Sequence, residues 1–331
     1  MNLHLHGLGH FHPPNEITNR FLEELDIGTN DEWILERVGI RSRRTILDLD
    51  YIRKTKNHDL RAAAEASTHT NAELGRIAAE MAIERAGISK SDVGMMIGEG
   101  SVPESLTPAD AAYVARELGI EAPVFDVNSA CTSFLVQINL LSMMRPEALP
   151  DFVLVVVPEA TTKVVDYTDR SSAVLWGDGA AAAIVSTKVR GRAEILGARM
   201  ASNPAGADKV VVPRLGYFDQ DGRSVQMFAI RKTELVYREL RDEYRAEGRA
   251  LHFVGHQANL RMLQNVCERC DIPPDRHHAN VEIRGNTAAA SSASVVSMRW
   301  DEWKPEDDVA VVGVGAGLTW AGYLLRFGVC G

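Results

Sequence analysis

Three residues of this 331-residue chain have side chains that could act together on a carbonyl compound: Cys131, His256 and Asn286. Cys131 lies in DVNSACTSF, between the strand-like run Pro123 to Val127 and the strongly apolar stretch Phe134 to Met143. A thiol where a strand turns into a helix meets unpaired backbone N–H groups and the positive end of the helix dipole, which favour thiolate. Its neighbours Ser129, Ala130, Thr132 and Ser133 are small enough to admit a substrate carbonyl, and the Cys131 N–H could donate to an oxyanion. A lone intracellular cysteine is as often a small buried hydrophobe, so position alone leaves both readings open. His256 in GHQANLRML and Asn286 in RGNTAAASS lie at strand-to-helix or loop-to-helix junctions. Either alone could be a core residue, and a helix cap is the simpler reading of Asn286. A nucleophile with two neutral donors, all at junctions, points instead to a covalent reaction through an anionic intermediate.

The elements that would hold these residues alternate between strand and helix. Leu3 to Leu8 alternates apolar residues with histidine and reads as a half-exposed strand. Asn15 to Gly39 reads as two short helices, the second opened by Thr29, Asn30 and Asp31 and closed at Gly39. Ile40 to Arg61 is crowded with charge and reads as an exposed excursion. Asn71 to Ala86 is an alanine-rich helix, Val93 to Ile97 a buried strand, Ser101 to Pro108 a loop, and Ala109 to Leu118 a helix. Asp151 to Val157 and Ala180 to Ser186 are further apolar strands. In the second half, Ile230 to Tyr244 reads as a helix, Leu251 to Val254 as a strand ending at His256, and Leu260 to Cys270 as a helix. Asn286 to Met298 reads as helical, and Val309 to Val314 as a core strand running into Gly315-Ala316-Gly317. Such alternation predicts a mixed or parallel sheet covered by helices on both faces. No proline- or serine-rich linker interrupts the chain, so two halves, 1–186 and 187–331, should share one core.

Composition narrows the functional classes. Hydrophobic residues make up 45% and charged residues 24%, the balance of a globular protein. A net charge of -9 argues against nucleic acid as a partner, and the absence of a run of ~20 apolar residues against a membrane one. A cytoplasmic location follows from these and from the start of the sequence, which has no signal-peptide pattern. Cys131, Cys267, Cys270 and Cys330 suit thiols in a reducing compartment better than a disulfide framework. Cys267 and Cys270 form a CxxC, but helical apolar spacing without a second ligand pair reads as a buried helix face. His4, His6, His10 and His12 recur with period two, which suits side chains facing solvent better than a metal site. No metal is expected.

DVNSACTSF, GHQANLRML, RGNTAAAS and GAGLTWAGYLLRF, with TNDEWILERVGIRSRR near the start, occur in the order and near the spacing seen in β-ketoacyl-(acyl carrier protein) synthase III. This similarity covers nearly the whole chain. It implies a thiolase-like five-layered α-β-α-β-α fold made from two related halves, a Cys-His-Asn active site and a homodimer. It further implies an acyltransferase that condenses acyl thioesters, with Cys131 as nucleophile and His256 and Asn286 facing the second thioester. The oxyanion hole would use the N–H groups of Cys131 and Ala316. Trp33 and Arg37 match residues that hold the adenine end of coenzyme A, and Asn259 and Arg261 match the helix at the tunnel mouth, the arginine on the carrier-protein side. No resident cofactor is implied, since coenzyme A and the phosphopantetheine of acyl carrier protein enter as substrate thioesters.

The chain departs from that pattern in two places. Leu47 to Ala66 is longer and more charged than the matching turn. Thr107 stands before Pro108, where phenylalanine closes the acyl pocket across the dimer in members restricted to acetyl-sized primers. Loss of that aromatic volume predicts a medium or long acyl donor and a place in specialised metabolism, joining two chains as in α-pyrone or alkylresorcinol formation. Initiation from a short acyl-CoA and malonyl carrier protein is the alternative, and a non-catalytic carrier-binding subunit a second.

Overall fold

The computed structural model describes residues 3–328, so Met1, Asn2 and Cys330 lie outside the described residues. Nine strands form one large sheet. They are β1 (Leu3–Phe11), β2 (Val93–Gly98), β3 (Val124–Asp126), β4 (Phe152–Glu159), β5 (Gly179–Ser186), β6 (Ala193–Ser202), β7 (Ala250–Gly255), β8 (Asp307–Gly315) and β9 (Thr319–Phe327). Their order is β7-β8-β9-β6-β1-β5-β4-β2-β3.

This order contains one pattern twice. In the first set β2 pairs in parallel with β3 and β4, and β5 runs antiparallel to both β4 and β1. In the second, β7 and β8 are parallel, and β9 runs antiparallel to both β8 and β6. A counterpart of β3 survives as a parallel bridge between Phe253 and His277. The two sets meet where β1 pairs antiparallel with β6 over Leu3–Leu5 and Ala193–Ile195.

Seven helices cover and separate the two sets: α1 (Asp31–Arg37), α2 (Asn71–Ala86), α3 (Asp110–Leu118), α4 (Ser133–Met143), α5 (Gly222–Tyr244), α6 (Leu260–Cys270) and α7 (Ala290–Met298). Helices α2 and α3 lie against the first set, and α5, with α6 packed on it, lies against the second. Between them, α4 touches β4, β6 and β9, while α7 touches β1, β5, β7 and β8. These contacts make the five layers. Both middle helices are buried around most of their circumference, as a helix between two sheets must be. Helix α7 is built of Ala, Ser and Val, which lets both sheets approach it closely. Its Ser297 hydroxyl donates to the Leu8 carbonyl at 3.0 Å.

Local sequence explains most boundaries. Thr70 and Glu73 form a reciprocal capping box at the start of α2, and Gly87 ends it at φ 68°. Asn30 caps α1 by accepting from Trp33 N at 2.8 Å. Both CxxC thiols lie buried on α6.

Several expectations need correction. The opening strand is interior: it pairs on both sides, and His10 Nδ1 lies 2.8 Å from Ser297 Oγ. Its histidines are partly buried, not turned to solvent. A short strand, Asn15–Thr18, precedes the first helix and pairs with Ser42–Thr45. The charged stretch Ile40 to Arg61 is no exposed excursion either. Arg43 is 0% exposed, because its guanidinium donates to Val174 O and Asn19 Oδ1, and Ile46, Leu47 and Ile52 join the core. Helix α5 begins at Gly222 rather than Ile230, and α7 begins at Ala290 rather than Asn286. The long strands β6 and β9 gave no clear signal. Their partners are distant in sequence, and strand preference depends strongly on such packing.

The closest packing is between β1 and α2. A Cβ on Gly9 would lie 1.9 Å from Ala78 O, and one on Gly7 would lie 2.1 Å from Ala82 O. Alanine at position 9 must therefore push the helix off the sheet. We expect Gly9→Ala to cost about 2–3 kcal/mol in denaturant unfolding, against little change for Gly222→Ala, whose Cβ would meet nothing nearer than 3.9 Å. Equal stabilities would show that α2 and β1 are not in that contact.

Candidate active site

Cys131 sits in a single turn of 3-10 helix, Ala130–Thr132, between β3 and α4. Side chains tie this turn down. Asn128 Oδ1 accepts from Ala130 N at 2.9 Å, Ser133 Oγ accepts from Ser129 N at 2.7 Å, and Ser133 donates to Ala130 O at 2.7 Å. Ala130 is held at φ 48°, a left-handed conformation uncommon for a residue with a Cβ. Against the turn lies the end of β8. A Cβ on Gly315 would be 3.2 Å from Cys131 N and 3.1 Å from Thr132 N, tighter than an ordinary contact, so a side chain here would have to push the two backbones a few tenths of an ångström apart. Among the described residues, neither Cys131 N nor Ala316 N is used in a backbone hydrogen bond. Both remain free to bind an oxyanion.

His256 follows β7, with its backbone N–H on Val312 O at 2.8 Å. Its Nδ1 lies 2.7 Å from Ser291 Oγ, which also accepts from Gln257 N at 3.3 Å. The Ser291 hydrogen then needs an acceptor, and His256 Nδ1 is the one within reach. This assigns the ring hydrogen to Nε2. Burial lowers the His256 pKa to about 4, so the ring is neutral at ordinary pH.

Asn286 does not cap α7, contrary to the simple reading. A bridge to Trp176 clamps it, with Asn286 N donating to Leu175 O at 2.8 Å and Gly177 N donating to Asn286 O at 3.0 Å. Asn286 Oδ1 accepts from Ala288 N at 3.0 Å, which leaves the Nδ2 hydrogens as its free donors.

Two cavities meet at Cys131. The larger, of about 480 Å³, is lined by Trp33, Arg37, Asn259, His256, Asn286 and Ala316 among others. The smaller, of about 190 Å³, is walled by Ser101, Val102, Val164, Trp176, Val212 and Phe218 among others. Cys131, Trp176, Val210, Phe218 and Ala316 border both. Most of the residues singled out in the sequence thus converge on one space. Asn259 is also the cap of α6, accepting from Met262 N at 3.1 Å.

Thr107 and Arg261 line neither cavity. Thr107 is exposed on its loop, and nothing within the chain places it against an acyl chain. Arg261 is exposed and spends its donors on Leu35 O, at 2.8 and 3.1 Å, and on Gln264 Oε1 at 3.1 Å. The structure adds Arg170, which sequence patterning did not find. Its guanidinium lies 4.8 Å from the Trp33 ring centre, beside that of Arg37 at 4.9 Å. Ser291 was likewise overlooked, because a serine within an Ala/Ser run carries no pattern of its own.

The electrostatics correct a further expectation. Placement before a helix would favour thiolate at Cys131, yet burial and the fields of Glu159 and Glu99 push its pKa up. The resting pair is a thiol and a neutral imidazole. Attack on a substrate requires the thiol proton to move; His256 Nε2 can take it in the other tautomer, with the ring hydrogen on Nδ1 and donated to a reoriented Ser291 hydroxyl.

Comparison with known proteins agrees with this geometry. Residues 125–204 match the family described as 3-oxoacyl-[acyl-carrier-protein (ACP)] synthase III, and residues 249–327 match its C-terminal region. β-Ketoacyl-[acyl-carrier-protein] synthase III of Oceanobacillus iheyensis is 32% identical, over 99% of this chain and 100% of that protein. The crystal structure of 3-oxoacyl-[acyl-carrier-protein] synthase III from Aquifex aeolicus superposes with a TM-score of 0.86 at 29% identity, covering 98% of this chain and 100% of that one. A priming β-ketosynthase from a polyketide biosynthetic pathway superposes with a TM-score of 0.81 at 27% identity, covering 98% of this chain and 96% of that one. Fold, the meeting of the two cavities at Cys131 and near-complete coverage agree: the chain belongs to the β-ketoacyl-(acyl carrier protein) synthase III family of thiolase-like condensing acyltransferases.

Proposed function

We propose that this chain performs a two-step Claisen condensation of acyl thioesters, with Cys131 as the acyl carrier and His256 and Asn286 as the donors that stabilise the second substrate's enolate. The observation that carries this reading is the position of Cys131 at the meeting of two cavities, only one of which contains the donor pair. Attack of the thiol sulfur on the first thioester forms a tetrahedral oxyanion, for which the Cys131 and Ala316 N–H groups are free. Its collapse breaks the substrate's C–S bond, the departing thiol carries away the proton given up by Cys131, and acyl-Cys131 remains, its chain lying along the apolar walls of the smaller cavity. The second thioester then occupies the larger cavity with its carbonyl oxygen between His256 Nε2–H and Asn286 Nδ2–H. Loss of carbon dioxide or of an α-proton makes the enolate, which these neutral donors stabilise without protonating it; its α-carbon attacks the acyl carbonyl, the C–C bond forms, and the C–S bond to Cys131 breaks as the sulfur regains a proton.

The mouth of the larger cavity suits coenzyme A, since the half-buried Trp33 ring lines it with Arg37, and Arg170 brings a second guanidinium to that ring, together offering a surface and cations for an adenine nucleotide. An acyl carrier protein as donor or acceptor, and a homodimer completing the pocket at Thr107, belong to the same proposal. The donor is read as medium or long and the setting as specialised metabolism, on the replacement of an aromatic residue by Thr107 and the apolar walls of the smaller cavity. Initiation from a short acyl-CoA is the second reading, favoured by the modest 190 Å³ of that cavity.

Two experiments test the roles. Asn286→Ala should acylate Cys131 at a rate within about threefold of wild type, while condensation falls roughly 10²- to 10³-fold, as for loss of one oxyanion donor. Equal loss of both steps would remove Asn286 from the second step. Arg170→Ala should raise KM for acyl-CoA roughly threefold to tenfold and leave KM for an acyl-pantetheine unchanged. A parallel rise for both thioesters would place the nucleotide elsewhere.

A further inference from the structure

The stretch Leu47 to Ala66 has no part in the steps above. It folds as two short helices, Leu49–Thr55 and Leu60–Glu65, the second touching the turn Thr161–Val164 that follows β4. Asp48 caps the first by accepting from Tyr51 N at 2.9 Å, and Lys56 ends it at φ 49°. Asn57, the next residue, is also left-handed at φ 59°, a conformation asparagine adopts more readily than most residues with a Cβ. It is 0% exposed, although asparagine is ordinarily a surface residue.

Every polar group of Asn57 is bonded. Its N–H donates to Thr55 Oγ1 at 3.1 Å and its Oδ1 accepts from Tyr51 Oη at 2.9 Å, which fix it within its own stretch. The amide hydrogens reach outside it, Nδ2 donating to Lys163 O at 3.0 Å and to Val165 O at 2.9 Å. The Asn57 carbonyl accepts from Tyr217 Oη at 2.8 Å. Loss of the amide would leave two carbonyls of the turn without this donor in a buried place, so the turn is held where Asn57 puts it.

Both segments bonded to Asn57 bear on the place where the two cavities meet. Val164 lines the smaller cavity, and its carbonyl accepts from Phe218 N at 2.9 Å. Phe218 borders both cavities, its ring edge-on to that of Trp176 with centres 4.6 Å apart. Residues 203–221, between β6 and α5, form a strap that carries Val210, Val211, Val212 and Phe218 over the smaller cavity. Leu215 near its tip is 90% exposed. Beside that tip the strap is fastened by two bonds that converge on Asn57: Tyr217 Oη on its carbonyl, and Phe218 N on the turn its amide holds. One methylene too many in an apolar pocket costs roughly 10- to 200-fold, so the positions of Val164 and Phe218 decide which chain fits.

We propose that Asn57 is a positioning residue for substrate choice: by holding the Val164 turn and the Phe218 strap together, it closes the smaller cavity around the acyl chain on Cys131 and sets the longest chain accepted. This deepens the two-step reading and rests on it. Asn57 touches no substrate atom and acts through Val164 and Phe218. When its bonds are lost the wall yields and longer chains enter. An acetyl group, which fills only part of the 190 Å³, acylates Cys131 as before.

The test is the second-order rate of Cys131 acylation by straight-chain saturated acyl-CoAs of increasing length, followed in the full chain by intact-protein mass spectrometry. Tyr217→Phe keeps the ring and removes one bond, Asn57→Ala removes the whole side-chain clamp, and Val164→Ala opens the wall directly. For the first chain length that wild type disfavours, the rate relative to acetyl-CoA should rise about tenfold in Asn57→Ala and Val164→Ala and by a smaller factor in Tyr217→Phe, with the acetyl rate within about threefold of wild type in Asn57→Ala and Tyr217→Phe. Should Asn57→Ala fail to fold, Tyr217→Phe decides alone. A common fall at all chain lengths, with the length profile unchanged, would overturn the proposal and assign Asn57 to architecture. A profile shifted by Val164→Ala but by neither of the other variants would also overturn it and leave the two-step reading intact. If no thioester acylates wild-type Cys131, the two-step reading itself fails and takes this proposal with it.

Discussion

The contact on which the site depends is that between the Gly315 backbone and the turn carrying Cys131. Cys131 follows the first set of strands, His256 and Ala316 follow strands of the second, and Asn286 is bridged to Trp176, so neither set alone assembles the site. A Cβ at position 315 would lie 3.2 Å from Cys131 N, and glycine's lack of one lets the turn bearing Ala316 lie close against the turn bearing Cys131. The pairing of β1 with β6 and the two helices between the sheets hold that distance. Because α4 and α7 are enclosed on both sides, neither can shift without disturbing both sheets.

Rigid neighbours also set the division of labour within the site. Asn286 is bonded through its backbone on both sides and through Oδ1 to its own turn, so only its amide hydrogens remain to be used. His256 is fixed through Ser291 and kept neutral by burial. Burial raises the proton affinity of the Cys131 thiol and of two buried carboxyls while lowering that of the imidazole. The resting site therefore holds a protonated thiol beside a neutral imidazole. A helix terminus acting on Cys131 is outweighed here by desolvation and by two acids, Glu99 and Glu159, that lie far from it in the chain.

Cys131, His256, Asn286 and the glycine turn, which the structure brings to one space, could be picked out in the sequence because each falls at a junction with a local signature. Boundaries marked by caps, such as Asn30 and the Thr70–Glu73 box, were legible for the same reason. What could not be read depends on distant partners. Arg43 looked solvated because charge is usually exposed, yet the Val174 carbonyl and the Asn19 amide oxygen, remote in sequence, satisfy it in the core. Glu99 and Glu159 occupy strand ends 60 residues apart and meet only through sheet pairing. Arg170 reaches Trp33 from across the fold, and Thr107 shows the converse, since the chain by itself gives it nothing to line.

The account stands or falls on whether Cys131 carries an acyl group between two substrates. Intact-protein mass spectrometry of wild type and Cys131→Ala, after exposure to acyl thioesters of increasing chain length, measures this directly. One acyl adduct on wild type and none on the variant is the predicted result, and the longest chain retained would separate chain joining from short-chain initiation. Failure of every thioester to label wild type, or equal labelling of the alanine variant, would contradict it.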